Sequence, residues 1–193
     1  MKIILASQSG VRKKILDENK ILSEVVVSGA DEDQIKNSLL AEGASPTDIS
    51  KNLAEIKSIK VSNKYPDRIV LGADSVVSFN DKIINKPKSR SEALEILKKL
   101  NNSVHYLISS VCISKNGSMI WNYSDSSELK MKNLSSKDLE KYLDKIETKV
   151  LLSYGVYQVE AHGKNLFEYI KGDKNSIMGL PIKEIINYLE TIK

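Results

Sequence analysis

"RIVLGADSVVSFN" (Arg68–Asn80) is the stretch on which the fold class turns. Ile69, Val70, Leu71, Val76 and Val77 are aliphatic and mostly β-branched, the composition of a buried strand. In the middle stands Gly72-Ala73-Asp74. Aspartate is a poor strand former, and burying a carboxylate costs free energy unless it is paired, hydrogen-bonded or metal-bound. The stretch therefore predicts a strand carrying one acid whose charge is answered from elsewhere in the fold. The alternative is a strand that ends before Asp74.

Outward from that strand, helices and strands mix. "KIILA" (Lys2–Ala6) reads as a short buried strand, followed by a Ser/Gly turn and a helix-compatible stretch. "SEVVVSG" (Ser23–Gly29) is a second β-branched strand, and the polar "ADEDQIKNSLLAEG" reads as a surface loop. A helix begins at Ser45-Pro46, with serine as N-cap and proline at the first helical position. Its apolar stripe is Ile49, Leu53 and Ile56; Lys57 lies beside that stripe and Lys60 nearer its centre.

After the Asp74 strand, Asn80-Asp81 reads as a turn. Ser89 and Glu92 are spaced as a capping box for a helix buried through Ala93, Ile96, Leu97 and Leu100. Asn116-Gly117 marks a hairpin. A further strand is expected near Ser127–Met131, then a helix from "SSKD", a strand in "NLFEYIK", a Gly-Leu-Pro break and a last helix over Ile182–Leu189. The pattern is α/β, with a mixed twisted sheet and flanking helices.

The chain of 193 residues is long enough for one domain, or for two small lobes sharing a core. Hydrophobic residues make up 41% and charged residues 28%, ordinary for a globular protein. No apolar run approaches the roughly 20 residues that span a bilayer. The apolar stretch in "MKIILASQSG" is too short for a secretory segment, so a cytoplasmic protein without membrane partners is expected. A single cysteine, Cys112, excludes an intramolecular disulfide and reads as a small buried apolar residue. Net charge is +4 without a basic tract, so a nucleic-acid-binding tail is not supported.

Several residue groups could carry chemistry. In "LASQSGVRKK" a strand opens into a helix through Ser7 and Ser9, an arrangement that suits a phosphate at free backbone N–H groups. Arg12 could clamp phosphate oxygens bidentately. The same residues also read as a capped helix with a solvated basic face. Asp31, Glu32 and Asp33 offer hard oxygen ligands for Mg²⁺ or Mn²⁺, or form a solvated acidic turn. Lys57 and Lys86 each read alone as surface lysines, and His105 and His162 lack metal spacing. No Walker-type loop with Gly-Lys-Ser/Thr exists.

Taken together and in order, "LASQS" with Arg12, "DE" at 31–32, "VLGADSVV", "NKP", "YGVYQVEAHG" and "GDKNSIMGLPI" resemble the Maf-like nucleoside triphosphate pyrophosphatases over about residues 3–190. The resemblance implies one Maf-like domain over 1–193, with two lobes around a deep nucleotide-binding cleft. It implies hydrolysis of nucleoside triphosphates between the α- and β-phosphates to a monophosphate and pyrophosphate, with a divalent metal. It also implies roles in removing non-standard nucleotides and restraining septum formation, and it allows a homodimer. Carried over by position, Asp74 would be the general base. Ser7, Ser9 and Arg12 would meet phosphate. Asp31 and Glu32 would lie near the metal, Lys57 and Lys86 would neutralise the triphosphate, and Glu160 would contact the base.

The departures are informative. The family's Ser-Pro-Arg-Arg is Ser9-Gly10-Val11-Arg12 here, and its frequent Asp-Thr is Asp74-Ser75. Glu160 stands where pyrimidine-preferring members carry glutamine, and a carboxylate suits the N–H donors of guanine or a methylated purine. A purine or modified-purine preference is the resulting expectation. The main alternative is a catalytically degenerate nucleotide-binding regulator of division, prompted by Gly10, Val11 and Ser75. An RNA-binding module ranks last, for want of a basic stripe interleaved with aromatics.

Overall fold

The computed structural model describes residues 1–159 and 161–192. Among the described residues seven strands form a mixed sheet in the order β2-β1-β3-β5-β6-β7, with β4 paired to β3. These strands are β1 (Ile3–Ala6), β2 (Ser23–Val25), β3 (Val70–Phe79), β4 (Lys82–Ile84), β5 (Val104–Lys115), β6 (Ser118–Met131) and β7 (Phe167–Lys171). The helices are α1 (Gly10–Glu18), α2 (Glu32–Ala41), α3 (Pro46–Ser62), α4 (Arg90–Leu100), α5 (Ser136–Leu143), α6 (Thr148–Tyr154), α7 (Lys174–Ile177) and α8 (Ile182–Thr191). The α/β class with a mixed sheet is as the sequence predicts. Among the described residues no helix is long and apolar enough to cross a membrane.

The chain divides into two compact units. The first comprises Met1–Val76, Ile108–Ser126 and the segment from Asp173 onward. Here β1 pairs in parallel with both β2 and β3. Strands with both faces covered read as continuous apolar runs, which is why "IIL" and "IVL" do not alternate with polar residues. Ile3, Leu5, Ile69, Leu71 and Ala73 meet Ile15 and Leu16 of α1 and Ile182, Ile185 and Leu189 of α8. Ile4, Ala6 and Val70, on the opposite face, pack with Val61 of α3.

The second unit comprises Val77–Leu107 and Ser127–Gly172. Its core joins Ala93, Leu97 and Leu100 of α4 to Leu139 and Leu143 of α5, Leu151 of α6, and Leu129, Met131 and Phe167 of the sheet. The end of β3 turns into β4 through Asn80 and Asp81, both at positive φ, 50° and 57°. That is the left-handed pair a two-residue hairpin needs, and Asn and Asp tolerate it.

Three expectations are corrected. "DEDQIKNSLLA" is the helix α2, not a loop: Asp31 caps it and Glu32 and Asp33 fill a first turn that favours acids. It buries no residue, so the apolar stripe that signals a helix is missing. β2 stops at Val25, well before Gly29. The strand expected at Ser127 is the end of one long strand, β6. Helix α6 was not foreseen: it has no side-chain cap and buries only Leu151.

His105 on β5 is fully buried, its Nε2 2.8 Å from the Tyr157 hydroxyl and its ring beside Phe167. Nδ1 has no partner among the described residues. Burial pushes the imidazole from 6.5 down to about 4, so the folded protein holds it neutral where the unfolded chain protonates it. Stability from this group is full above about pH 6.5 and falls as pH drops towards 4, by roughly 3 kcal/mol. Urea titrations across that window should show the loss, and NMR should find His105 untitrated above about pH 5; a ring titrating near 6.5 would contradict this.

Candidate functional site

The site begins with a glycine. Gly72 lies on the β3 face that meets α3, and a Cβ there would fall on the Ala54 carbonyl oxygen and within 2.8 Å of the Ser58 nitrogen. Only glycine allows so close an approach. Asp74, two residues on, points to the same face of the strand. Lys57, one turn beyond Ala54, faces the same way from the helix. The two meet: Lys57 Nζ donates to Asp74 Oδ1 at 2.7 Å, with the residues 6% and 7% exposed. From the exposed start of α2, Glu32 Oε2 reaches the same ammonium at 2.8 Å. Ser50 Oγ donates to the Asp74 carbonyl at 3.2 Å.

The ion pair answers the buried acid of the central strand. Burial pushes the Asp74 carboxyl above its ordinary value, and the charges of Lys57 and then Arg12 draw it back. Glu32, as a like charge, pushes it up.

Arg12 projects from α1 to the other side of this stretch. Its Nε donates to Gly179 O at 2.9 Å and its Nη1 to Ala73 O at 2.9 Å and Ser7 Oγ at 3.1 Å. Nη2 donates to Ser75 Oγ at 3.1 Å. Burial lowers the guanidinium pKa, and Asp74 and Glu32 oppose that shift. Ser7 Oγ also accepts from Ser9 N at 3.2 Å, and Ser9 caps α1 by accepting from Arg12 N.

Lys57 thus contacts both Asp74 and Glu32, and Ser7, Ser9 and Arg12 form a second cluster joined to Asp74's neighbours. Asp31 stands beside Glu32 with its Oδ1 engaged by Gln34 N at 3.0 Å. Lys86 is exposed in the second unit, between β4 and α4. Glu160 lies outside the described residues. Lys60, expected near the centre of the buried stripe, is exposed and donates to Gly29 O at 2.5 Å. The buried face of α3 is instead Ile49, Ser50, Leu53, Ala54, Lys57, Ser58 and Val61, where small polar residues hide from a hydrophobic reading. Val11 packs against the main core.

For a divalent cation the residues fit in part. Among the described residues no three His, Cys, Asp or Glu side chains gather as a protein-only cage. Two neighbouring carboxylates are what Mg²⁺ uses when substrate phosphates complete its shell.

The family model of the Maf-like proteins matches residues 2–192. The chain belongs to the Maf-like family. It is similar to a Pelagibacter ubique protein named nucleoside triphosphate pyrophosphatase, 59% identical over 99% of this chain and 98% of that one. A Caulobacter vibrioides protein of the same name is 37% identical, covering 97% and 94%. A Rhizobium meliloti 7-methyl-GTP pyrophosphatase is 33% identical, covering 98% and 96%.

In this Maf-like chain Arg12 has two partners that the residue pattern does not announce, Ser75 and Gly179. Gly-Leu-Pro read only as a break, yet Gly179 sits at φ +93°, where a side chain would crowd Ser75 Oγ and Arg12. A conformationally demanding glycine was the available signal.

The Gly72 contact and the ion pair each set a stability outcome. Gly72→Ala should lower the unfolding free energy by about 1–3 kcal/mol, because α3 must move. Lys57→Met should lower it by about 3 kcal/mol or more by leaving Asp74 unpaired. Adding Asp74→Asn should recover part of that loss, a non-additivity of roughly 1–3 kcal/mol in urea denaturation.

Proposed function

We propose that this chain is a nucleoside triphosphate pyrophosphatase that hydrolyses the anhydride between the α- and β-phosphates, releasing a nucleoside monophosphate and pyrophosphate. The names of relatives matched along nearly the whole chain support the reading, the first of them 59% identical. The observation that carries its chemistry is the buried Asp74–Lys57 pair beside Glu32.

In this reading Asp74 takes a proton from the attacking water. Lys57, already bonded to it, keeps the carboxylate ionised in a site that would otherwise favour the neutral acid. Lys57 and Lys86 neutralise the triphosphate, and Ser7 and Ser9 hydroxyls with the start of α1 receive phosphate oxygens. A divalent cation, Mg²⁺ or Mn²⁺, would be held by Glu32 and the free oxygen of Asp31 together with phosphate oxygens, and would stabilise charge on the departing pyrophosphate. For the base, Glu160 would accept from guanine-type N–H donors, favouring a purine or modified purine. The partner is the nucleotide, with no stable nucleic-acid complex, and the reading is compatible with a homodimer.

Pyrophosphate release from a panel of standard and methylated nucleoside triphosphates, with Mg²⁺ or Mn²⁺, checks this. The wild type should turn over purine substrates faster than dTTP or UTP, and Asp74→Asn should lose on the order of 10²–10⁴ in kcat. No release across the panel would sink the reading. Nucleotide binding without turnover would leave a regulator in its place, with Val11 the first residue to revert.

A further inference from the structure

Arg12 has more structural bonds than a substrate clamp can keep. A guanidinium grips a phosphate through two parallel N–H groups. Here all but one of the Arg12 N–H groups are engaged by the protein, two by backbone carbonyls and two by serine hydroxyls. The two on β3, Ala73 O and Ser75 Oγ, belong to the residues on either side of Asp74. Ser75 Oγ is in turn 2.8 Å from Ser109 Oγ on β5. The turn after α7 closes the set: Gly179 offers its carbonyl, and a Cβ there would approach Arg12 Nε to 3.3 Å and Ser75 Oγ to 3.1 Å.

We propose that Arg12 is a positioning residue, which holds β3 on both sides of Asp74, through the Ala73 carbonyl and the Ser75 hydroxyl, and so sets the direction of its carboxylate, instead of gripping the triphosphate. The proposal rests on Asp74 acting as the base. It assigns the Gly-Leu-Pro turn a task as well, since the Gly179 carbonyl accepts from the guanidinium Nε. The serine at position 75 is part of the same device: its hydroxyl links the guanidinium to β5. The general consequence is kinetic. A group that orients the base lowers kcat when removed, whereas a group that binds substrate weakens binding.

Arg12→Lys separates the two roles, because lysine keeps the positive charge and loses the fork. Turnover is measured by pyrophosphate release, and affinity by calorimetric titration of an α,β-methylene nucleoside triphosphate. The expected result is a kcat reduced about tenfold or more, with the dissociation constant within about threefold of wild type. Amide hydrogen exchange at Asp74 and Ser75 should also speed up, a change a phosphate clamp would not cause. A dissociation constant raised about tenfold at unchanged kcat would overturn the proposal, as would a variant equal to wild type in both. Should Arg12→Lys fail to fold by thermal melt, Ser75→Ala carries the same test, with lower kcat at unchanged affinity expected and the reverse overturning it. A wild type that binds the analogue and turns over no substrate defeats the pyrophosphatase reading instead, so the two failures are distinct.

Discussion

How closely α3 lies on β3 governs most of the first unit, and Gly72 sets that distance. With no Cβ at this point the helix backbone rests on the strand, Ala54 over Gly72 and Ser58 beside it. Lys57 then reaches Asp74 with both groups almost wholly out of water. A lone carboxylate so placed would take up a proton, because desolvation penalises the charged form more than any distant charge can offset. The ammonium at 2.7 Å makes the charged acid tenable, and the pair is then worth far more broken than formed. The helix, the glycine, the acid and the lysine are one mutually dependent arrangement.

A second cation approaches the same acid from the other side. Arg12 lies in a polar nest of two carbonyls and two hydroxyls drawn from the turn after β1, from β3 and from the turn after α7. Its charge is stabilised by dipoles, and it ties segments far apart in sequence, Gly179 being 167 residues away. Asp74 thereby stands between a lysine that pairs with it and an arginine bonded to the residues on either side of it.

The acidic turn divides its labour by position. Asp31 spends an oxygen on the helix cap, Asp33 pairs with Lys36, and Glu32 alone turns inward to Lys57. Helix geometry decides this, since consecutive residues at a helix start point in different directions. Three adjacent carboxylates in sequence are therefore not three equivalent ligands in space.

Much of the fold was legible in the chain. The aliphatic runs of β1 and β3, the serine caps of α3 and α4, and the Asn80-Asp81 and Asn116-Gly117 turns are local signals, and local sterics and hydrogen bonding fix them. So is the question posed by an acid within "VLGADSVV". The partner of that acid was not legible by residue pattern alone, because the inner face of α3 is built from Ser, Ala and Lys as much as from Ile and Leu. α2 and α6 escaped because they bury almost nothing, and periodicity reports burial. By itself the sequence determined the α/β class, the strand that bears Asp74 and the kinds of residue that could serve it. Only the tertiary structure decided that Lys57 and not Lys60 faces the acid, that Glu32 and not Asp31 joins it, and that Arg12 is bound to the backbone around it. Those choices depend on the angle and closeness at which a helix crosses a strand, which are set by contacts between residues distant in the chain.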